Sequence, residues 1–368
     1  MSQSLCSALR SPVSRKKVYD MAAFETRLPF ASDYMMGAHP AVLRALTESN
    51  LIPAAGYGED QFCAAAREKI RAACACPEAE IHFLVGGTQT NAAVIDSLLR
   101  PYQGVLAPES GHIAVHEAGA IEYGGHKVLP LPSRNGKLCA RDVERAVLSY
   151  RQDETREHTV MPAMVYISQP SELGTLYSLS ELRALHEICR KYGLWLYADG
   201  ARLAYALASP ENDVSLPALA ELCDIFYIGG TKCGALFGEA VVIPTPGLIP
   251  HFFTMIKQHG ALLAKGRLLG VQFDALFTDS LYLTLGSFAV DAAIRLRHAL
   301  LEYGYELRFD SVTNQSFAVV DHDRKEKLRE TVDFSPWEPV DENRSIIRFV
   351  TSWATTETEL RALIALLK

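Results

Sequence analysis

Short apolar runs that end in small or polar residues, each followed by a helix-like stretch, recur through the middle of the chain. "IHFLVGG" precedes "TQTNAAVIDSLL", "MVYISQ" precedes "SLSELRALHEICRKYG", "LWLYADG" precedes "ARLAYAL", and "DIFYIGG" runs into a lysine, Lys232. Strands that alternate with helices in this way predict a mostly parallel sheet wrapped by helices on both faces, an α/β architecture. In such sheets ligands sit beyond the carboxyl ends of the strands. Three runs end there in clusters that should converge: Gly86-Gly87-Thr88, Asp199-Gly200 and Gly229-Gly230-Thr231-Lys232.

At 368 residues the chain exceeds the usual size of one hydrophobic core, which predicts a large lobe and a smaller one. After about Pro246 the pattern changes, through the helical "HFFTMIKQHGALLAKGRLLGVQFDALF" to "QSFAVVD", "SIIRFVTSW" and a closing helix "TETELRALIALLK". The expected division is an N-terminal arm over 1–30, a large domain over 31–248 and a small α+β domain over 249–368. The arm carries Ser and Arg but no acid before Asp20, a faint likeness to a transit peptide, and lacks the apolar core of a secretion signal. A flexible or partner-docking arm is the plainer reading, and the protein is expected in the cytoplasm.

The formal net charge of −7, with both signs interspersed, argues against a nucleic-acid partner, and no apolar stretch is long enough to span a bilayer. Eight cysteines lack the spacing of a disulfide scaffold and read as reduced thiols. Cys74 and Cys76 are not followed by further ligands at a zinc-like interval, so no metal is expected.

A lysine charge is strongly hydrated, and its place between glycine pairs after an apolar run needs a reason. An acid at one strand end, a lysine at a later one and a Gly-Thr turn opening a helix are the parts that a pyridoxal phosphate site requires. The helix start suits a phosphate. Asp199 would keep the pyridine nitrogen protonated, and Lys232 would form the Schiff base, its amine made nucleophilic by desolvation. Each part also has a plainer reading: Lys232 as a surface lysine, Asp199 as a helix cap, Gly87 and Thr88 as an ordinary strand-to-helix turn.

The wording of the segments goes further. From "SDYMMGAHPAVLRAL" through "GYGEDQ", "LVGGTQTNA", "GHIAVHEAGA", "ISQPSELGTLYS", "YADGARL" and "GGTKCGA" to "RFVTSW", the chain resembles the threonine aldolase group of fold-type I pyridoxal phosphate enzymes, in the β-eliminating lyase superfamily. The resemblance implies that Lys232 holds the cofactor, that Asp199 pairs with its ring nitrogen, and that His112 stacks on the ring and takes part in proton transfer. Gly87, Thr88 and the Thr231 hydroxyl would cradle the phosphate. Arg202 and Arg348 would grip the substrate carboxylate as bidentate forks, with Ser32 nearby. Tyr57 would reach the substrate. Lys265 and Arg267 would send cations toward the phosphate, often from a neighbouring subunit, which implies a homodimer or homotetramer with sites at the interface. Two positions depart from the pattern: Glu172 falls where a histidine is common, and Cys233 where glycine is frequent. The expected substrate is a small amino acid and the expected reaction is cleavage of L-threonine or L-allo-threonine to glycine and acetaldehyde, the β-hydroxyl proton going to His112 or to a water oriented by His112 or Glu172. β-Elimination or transamination of another amino acid is the alternative, and a non-catalytic cofactor-binding protein a third reading.

Overall fold

The computed structural model describes residues 27–368, so the expected arm lies almost wholly outside the described residues. A seven-stranded sheet runs across the molecule in the order Glu80–Leu84, Glu239–Ile243, Ile225–Gly229, Trp195–Asp199, Met161–Ser168, Gln103–Pro108, Lys127–Leu131. Glu239–Ile243 is antiparallel to both of its neighbours, and the remaining pairs are parallel. The central strands are buried on both faces, as the apolar runs require. Their alternation divides the core: Phe226, Ile228 and Val242 pack with Leu182, Leu185 and Cys189 of the helix Leu179–Tyr192. Tyr227, Val241 and Ile243 pack on the other face with Val94 and Ile95 of the helix Gly87–Leu98.

A second sheet of three antiparallel strands, in the order Ser335–Pro339, Arg344–Val350, Gln315–Asp321, lies in the C-terminal part of the chain. The sequence reading found two of these strands; Ser335–Pro339 contains two prolines and has no clean alternation, which hides it. Ile347 and Phe349 share a core with Leu296 and Leu300 of the long helix Leu281–Glu302 and with Leu360 and Leu363 of the last helix, Glu357–Leu366. The helical stretch after Pro250 is two helices, Phe252–Gln258 and Arg267–Leu276, separated where Gly260 takes a left-handed φ of 67°.

The first described residues belong to this C-terminal body and not to a free arm. Leu28–Pro29 pairs in parallel with Val332–Asp333, Phe30 is buried in the same core, and the Val350 N–H donates to the Phe30 carbonyl at 2.8 Å. Among the described residues no helix is long and apolar enough to cross a membrane, and no group of three or more His, Cys, Asp or Glu could hold a metal.

Candidate active site

Asp199 is the last residue of its strand and its carboxylate is buried among four donors. Oδ1 accepts from the Ala201 N–H at 2.9 Å and the Tyr227 hydroxyl at 2.5 Å; Oδ2 accepts from the Tyr166 hydroxyl at 2.6 Å and from Asn91 Nδ2 at 3.1 Å. Burial alone would push this carboxyl up, but the nearby His112 ring and the tyrosine hydroxyls outweigh it and hold the group below its ordinary value. The backbone turns tightly after it: a Cβ on Gly200 would lie 1.9 Å from the Tyr227 carbonyl oxygen.

Lys232 lies in the turn after Ile225–Gly229, and its carbonyl accepts from the Tyr205 hydroxyl at 2.5 Å. Burial and then the charge of Arg202 push its ammonium below the ordinary lysine value, against the pull of Asp33, Asp199 and Glu239. Glu239 braces this turn from the adjacent strand, accepting from the Thr231 hydroxyl at 2.7 Å and the Gly230 N–H at 3.2 Å. Its carboxyl is buried and raised for that reason. Gly87 and Thr88 open the helix Gly87–Leu98 toward the same space; a Cβ on Gly87 would come 3.0 Å from the Tyr227 hydroxyl. These residues line a cavity of about 290 Å³ that also takes in His112, Glu172 and Arg202.

Two arginines border this space. Arg202 is gripped by the buried Asp33, Nε to Oδ2 at 2.7 Å and Nη2 to Oδ1 at 3.1 Å, and Asn314 Nδ2 donates to the same carboxylate at 3.0 Å. Arg348 donates to Gln315 Oε1 at 3.1 Å and Ser335 Oγ at 3.2 Å and lies over the Trp337 ring, while its Nε is buried without a partner. Burial and the charge of Arg202 push Arg348 down to about 10. Both arginines line a wider cavity of about 920 Å³ that shares His112, Glu172 and Lys232 with the first.

His112 Nδ1 lies 2.7 Å from Glu117 Oε1, and Asn91 Nδ2 donates to that same oxygen at 2.7 Å, so a continuous hydrogen-bonded path runs from the His112 ring through Glu117 and Asn91 to Asp199. The His112 N–H donates to Glu172 Oε1 at 2.8 Å, and Ser168 Oγ donates to the same atom at 2.7 Å.

Lys232, Asp199, His112, Gly87, Thr88, Thr231, Glu172 and Arg202 therefore meet in one cavity, with Arg348 in the adjoining one. Ser32 does not line either; the neighbouring Asp33 makes the contact with Arg202 instead. Tyr57, Lys265 and Arg267 also stand apart from Lys232 within this chain. Tyr57 is exposed beneath Lys257 and borders a small surface pocket with Gly58 and Gly266. Lys265 is exposed, and Arg267 donates to the carbonyls of Ile52 and Ser49 over the Phe62 ring. Sequence reasoning missed Asp33, Asn91, Tyr166, Tyr227 and Glu239. For Tyr166 the two-residue period was a usable signal, because it shares a face with Ser168 at the strand's end.

The donor set fits pyridoxal phosphate. An anionic Asp199, held charged by four donors, suits a protonated ring nitrogen; a lysine whose ammonium form burial disfavours suits an aldehyde; a helix start with glycines suits a phosphate. Fold and site define a fold-type I pyridoxal phosphate enzyme. Residues 29–333 match the family described as beta-eliminating lyase. Over 339 residues the chain is 31% identical to the low specificity L-threonine aldolase of Pseudomonas sp. (strain NCIMB 10558), a span of 91% of this chain and 96% of that protein. A Leishmania major threonine aldolase structure superposes with a TM-score of 0.89 at 42% identity, covering 92% of this chain and 98% of that one. An aspartate aminotransferase from Thermus thermophilus, at 16% identity and a TM-score of 0.68 over 92% of this chain and 90% of that one, shares the fold alone. The chain belongs to the beta-eliminating lyase family.

Proposed function

We propose that the chain is a pyridoxal phosphate-dependent aldolase that cleaves L-threonine and L-allo-threonine to glycine and acetaldehyde. The observation that carries this reading is the single cavity lined by Asp199, Lys232, the Gly87–Thr88 helix start and Arg202, with Arg348 supplying a second guanidinium in the adjoining cavity. An amino acid has an amine, a carboxylate and a β-substituent to place, and the cavity offers a distinct chemistry for each.

Gly87 and Thr88 would hold the cofactor phosphate, joined by the Thr231 hydroxyl once it turns from Glu239, Asp199 would face the ring nitrogen, and Lys232 would supply the amine that anchors the aldehyde. When bound, the cofactor supplies an electron sink for the pair released at Cα. Arg202 and Arg348 would fix the substrate carboxylate and so select which bond at Cα is presented for cleavage. His112, with its Nδ1 bonded to Glu117, would stack on the cofactor ring, and the β-hydroxyl proton would pass to His112 or to a water oriented by His112 or Glu172.

We infer a homodimer or homotetramer. Tyr34, Met35, Met36, Leu51, Ile52 and Leu236 are exposed on this chain, and a second copy covering them would shield that apolar surface. Tyr57, Lys265 and Arg267, which do not reach Lys232 in their own chain, are then placed to serve the partner's site. The seven described cysteines are all unpaired, in keeping with a cytoplasmic location.

Aldehyde release from both threonine diastereomers, by wild type and Lys232→Ala, tests the reading. Wild type should cleave both and the variant neither; release of ammonia or a keto acid in place of aldehyde would sink it.

A further inference from the structure

Two buried carboxylates share one amide. Asn91, fully buried on the helix Gly87–Leu98, donates through Nδ2 to Glu117 Oε1 at 2.7 Å and to Asp199 Oδ2 at 3.1 Å. Its Oδ1 accepts from the Tyr197 hydroxyl at 2.8 Å, and the reverse orientation would set the amide oxygen against both acids. Glu117 is the less well supplied of the two carboxylates: its side chain has no exposed surface and its Oε2 has no hydrogen bond. A buried carboxylate in that position is costly, and its remaining partner is the His112 ring, Nδ1 to Oε1 at 2.7 Å. Imidazole is ordinarily the stronger base by roughly two pKa units, so the proton between the two groups sits on Nδ1. Nε2 is then the bare nitrogen of the ring. It has no partner among the described residues and, unlike Glu117 Oε2, is not closed off from solvent. The His112 side chain is 33% exposed, and the residue lines both cavities that contain Lys232.

We propose that Glu117, seated by Asn91, is a positioning residue that fixes the His112 ring as its Nδ1–H tautomer and so presents Nε2 to the cavity, an inference that rests on the aldolase reading above. A proton that reaches the ring is taken at Nε2. The Nε2 lone pair forms the new N–H bond, the donor atom keeps the electron pair of the bond that breaks, and the proton later leaves from the same nitrogen. While the ring carries both protons, its positive charge stands against a buried anion, where water screens the attraction little. Asn91 serves both ends of the site, because the amide that seats Glu117 also donates to Asp199. No oxidant or second substrate is needed.

Proton–nitrogen correlation spectra of the wild-type holoenzyme with isotope-labelled histidine read the tautomer without turnover, and the signal missing from His112→Gln identifies the ring. At about pH 9, well above the ordinary histidine value, His112 should carry a proton on Nδ1 and none on Nε2. A proton on Nε2, alone or together with one on Nδ1, overturns the assignment. Steady-state kinetics supply a second arm. Glu117→Gln keeps the shape of the side chain and an oxygen for Asn91 but removes the charge. Its kcat for threonine should fall about tenfold or more, since proton transfer through a positioned group is worth at least that, while KM stays within about threefold of wild type. A smaller fall in kcat overturns the proposal, and so does a rise in KM that matches the loss, the mark of a scaffold residue. Wild-type enzyme that shows the expected tautomer yet releases no aldehyde from any β-hydroxy amino acid would instead remove the aldolase reading beneath it.

Discussion

Asp33 and Arg202 form a two-point ion pair across 169 residues of chain, Nε to Oδ2 at 2.7 Å and Nη2 to Oδ1 at 3.1 Å, with both side chains largely withdrawn from water. Asp33 overcomes the cost of burying the guanidinium and holds Arg202 above its ordinary value. The pairing fixes the plane of the fork that an incoming carboxylate must meet. Asp33→Asn removes the charge but little volume. Steady-state kinetics should show KM for the amino acid raised about tenfold, as expected for loss of a charge-assisted bond, with a smaller change in kcat. An unchanged KM would mean that Arg202 is held by its surroundings without Asp33.

Glu239 is raised by burial above its ordinary value of 4.5, against the pull of Thr231 and Lys232. A carboxyl whose folded pKa exceeds its unfolded one binds protons more tightly when folded, so its contribution to stability declines as pH rises from the unfolded value through the folded one. Glu239→Gln removes that decline. Thermal unfolding across pH 5 to 9, a window of roughly the span over which buried carboxyls titrate, should show a shallower loss of Tm on the alkaline side in the variant. Parallel curves would place the ionisation elsewhere.

Gly200 allows the chain to turn hard against Ile225–Gly229. With a Cβ 1.9 Å from the Tyr227 carbonyl oxygen, Gly200→Ala must displace backbone and should cost about 1–3 kcal/mol in denaturant unfolding. Gly86→Ala, where nothing stands within 4 Å, should stay within about 0.5 kcal/mol.

Lys232, Asp199 and Gly87 were legible in the sequence because each ends an apolar run, and strand ends in a parallel sheet converge by construction. Their supports were not. Tyr166 and Tyr227 sit inside strands and look like core residues, yet their hydroxyls donate to Asp199 and, with His112, help to keep it charged. Asp33 and Arg202 are distant in sequence, and no local period announces a bond between them. The positions of Tyr57, Lys265 and Arg267 illustrate a different limit: motif order groups residues without placing them, and within this chain none of the three lines a cavity with Lys232.

The short pairing of Leu28–Pro29 with Val332–Asp333 has a temporal meaning. Asp33 follows within a few residues, and Asn314, which helps to hold it, lies next to the strand that carries Arg348 in its neighbour. Lys232 and Asp199 come earlier in the order of synthesis, so Asn314 and the strand that carries Arg348 join the site only after the whole of the large sheet has been translated.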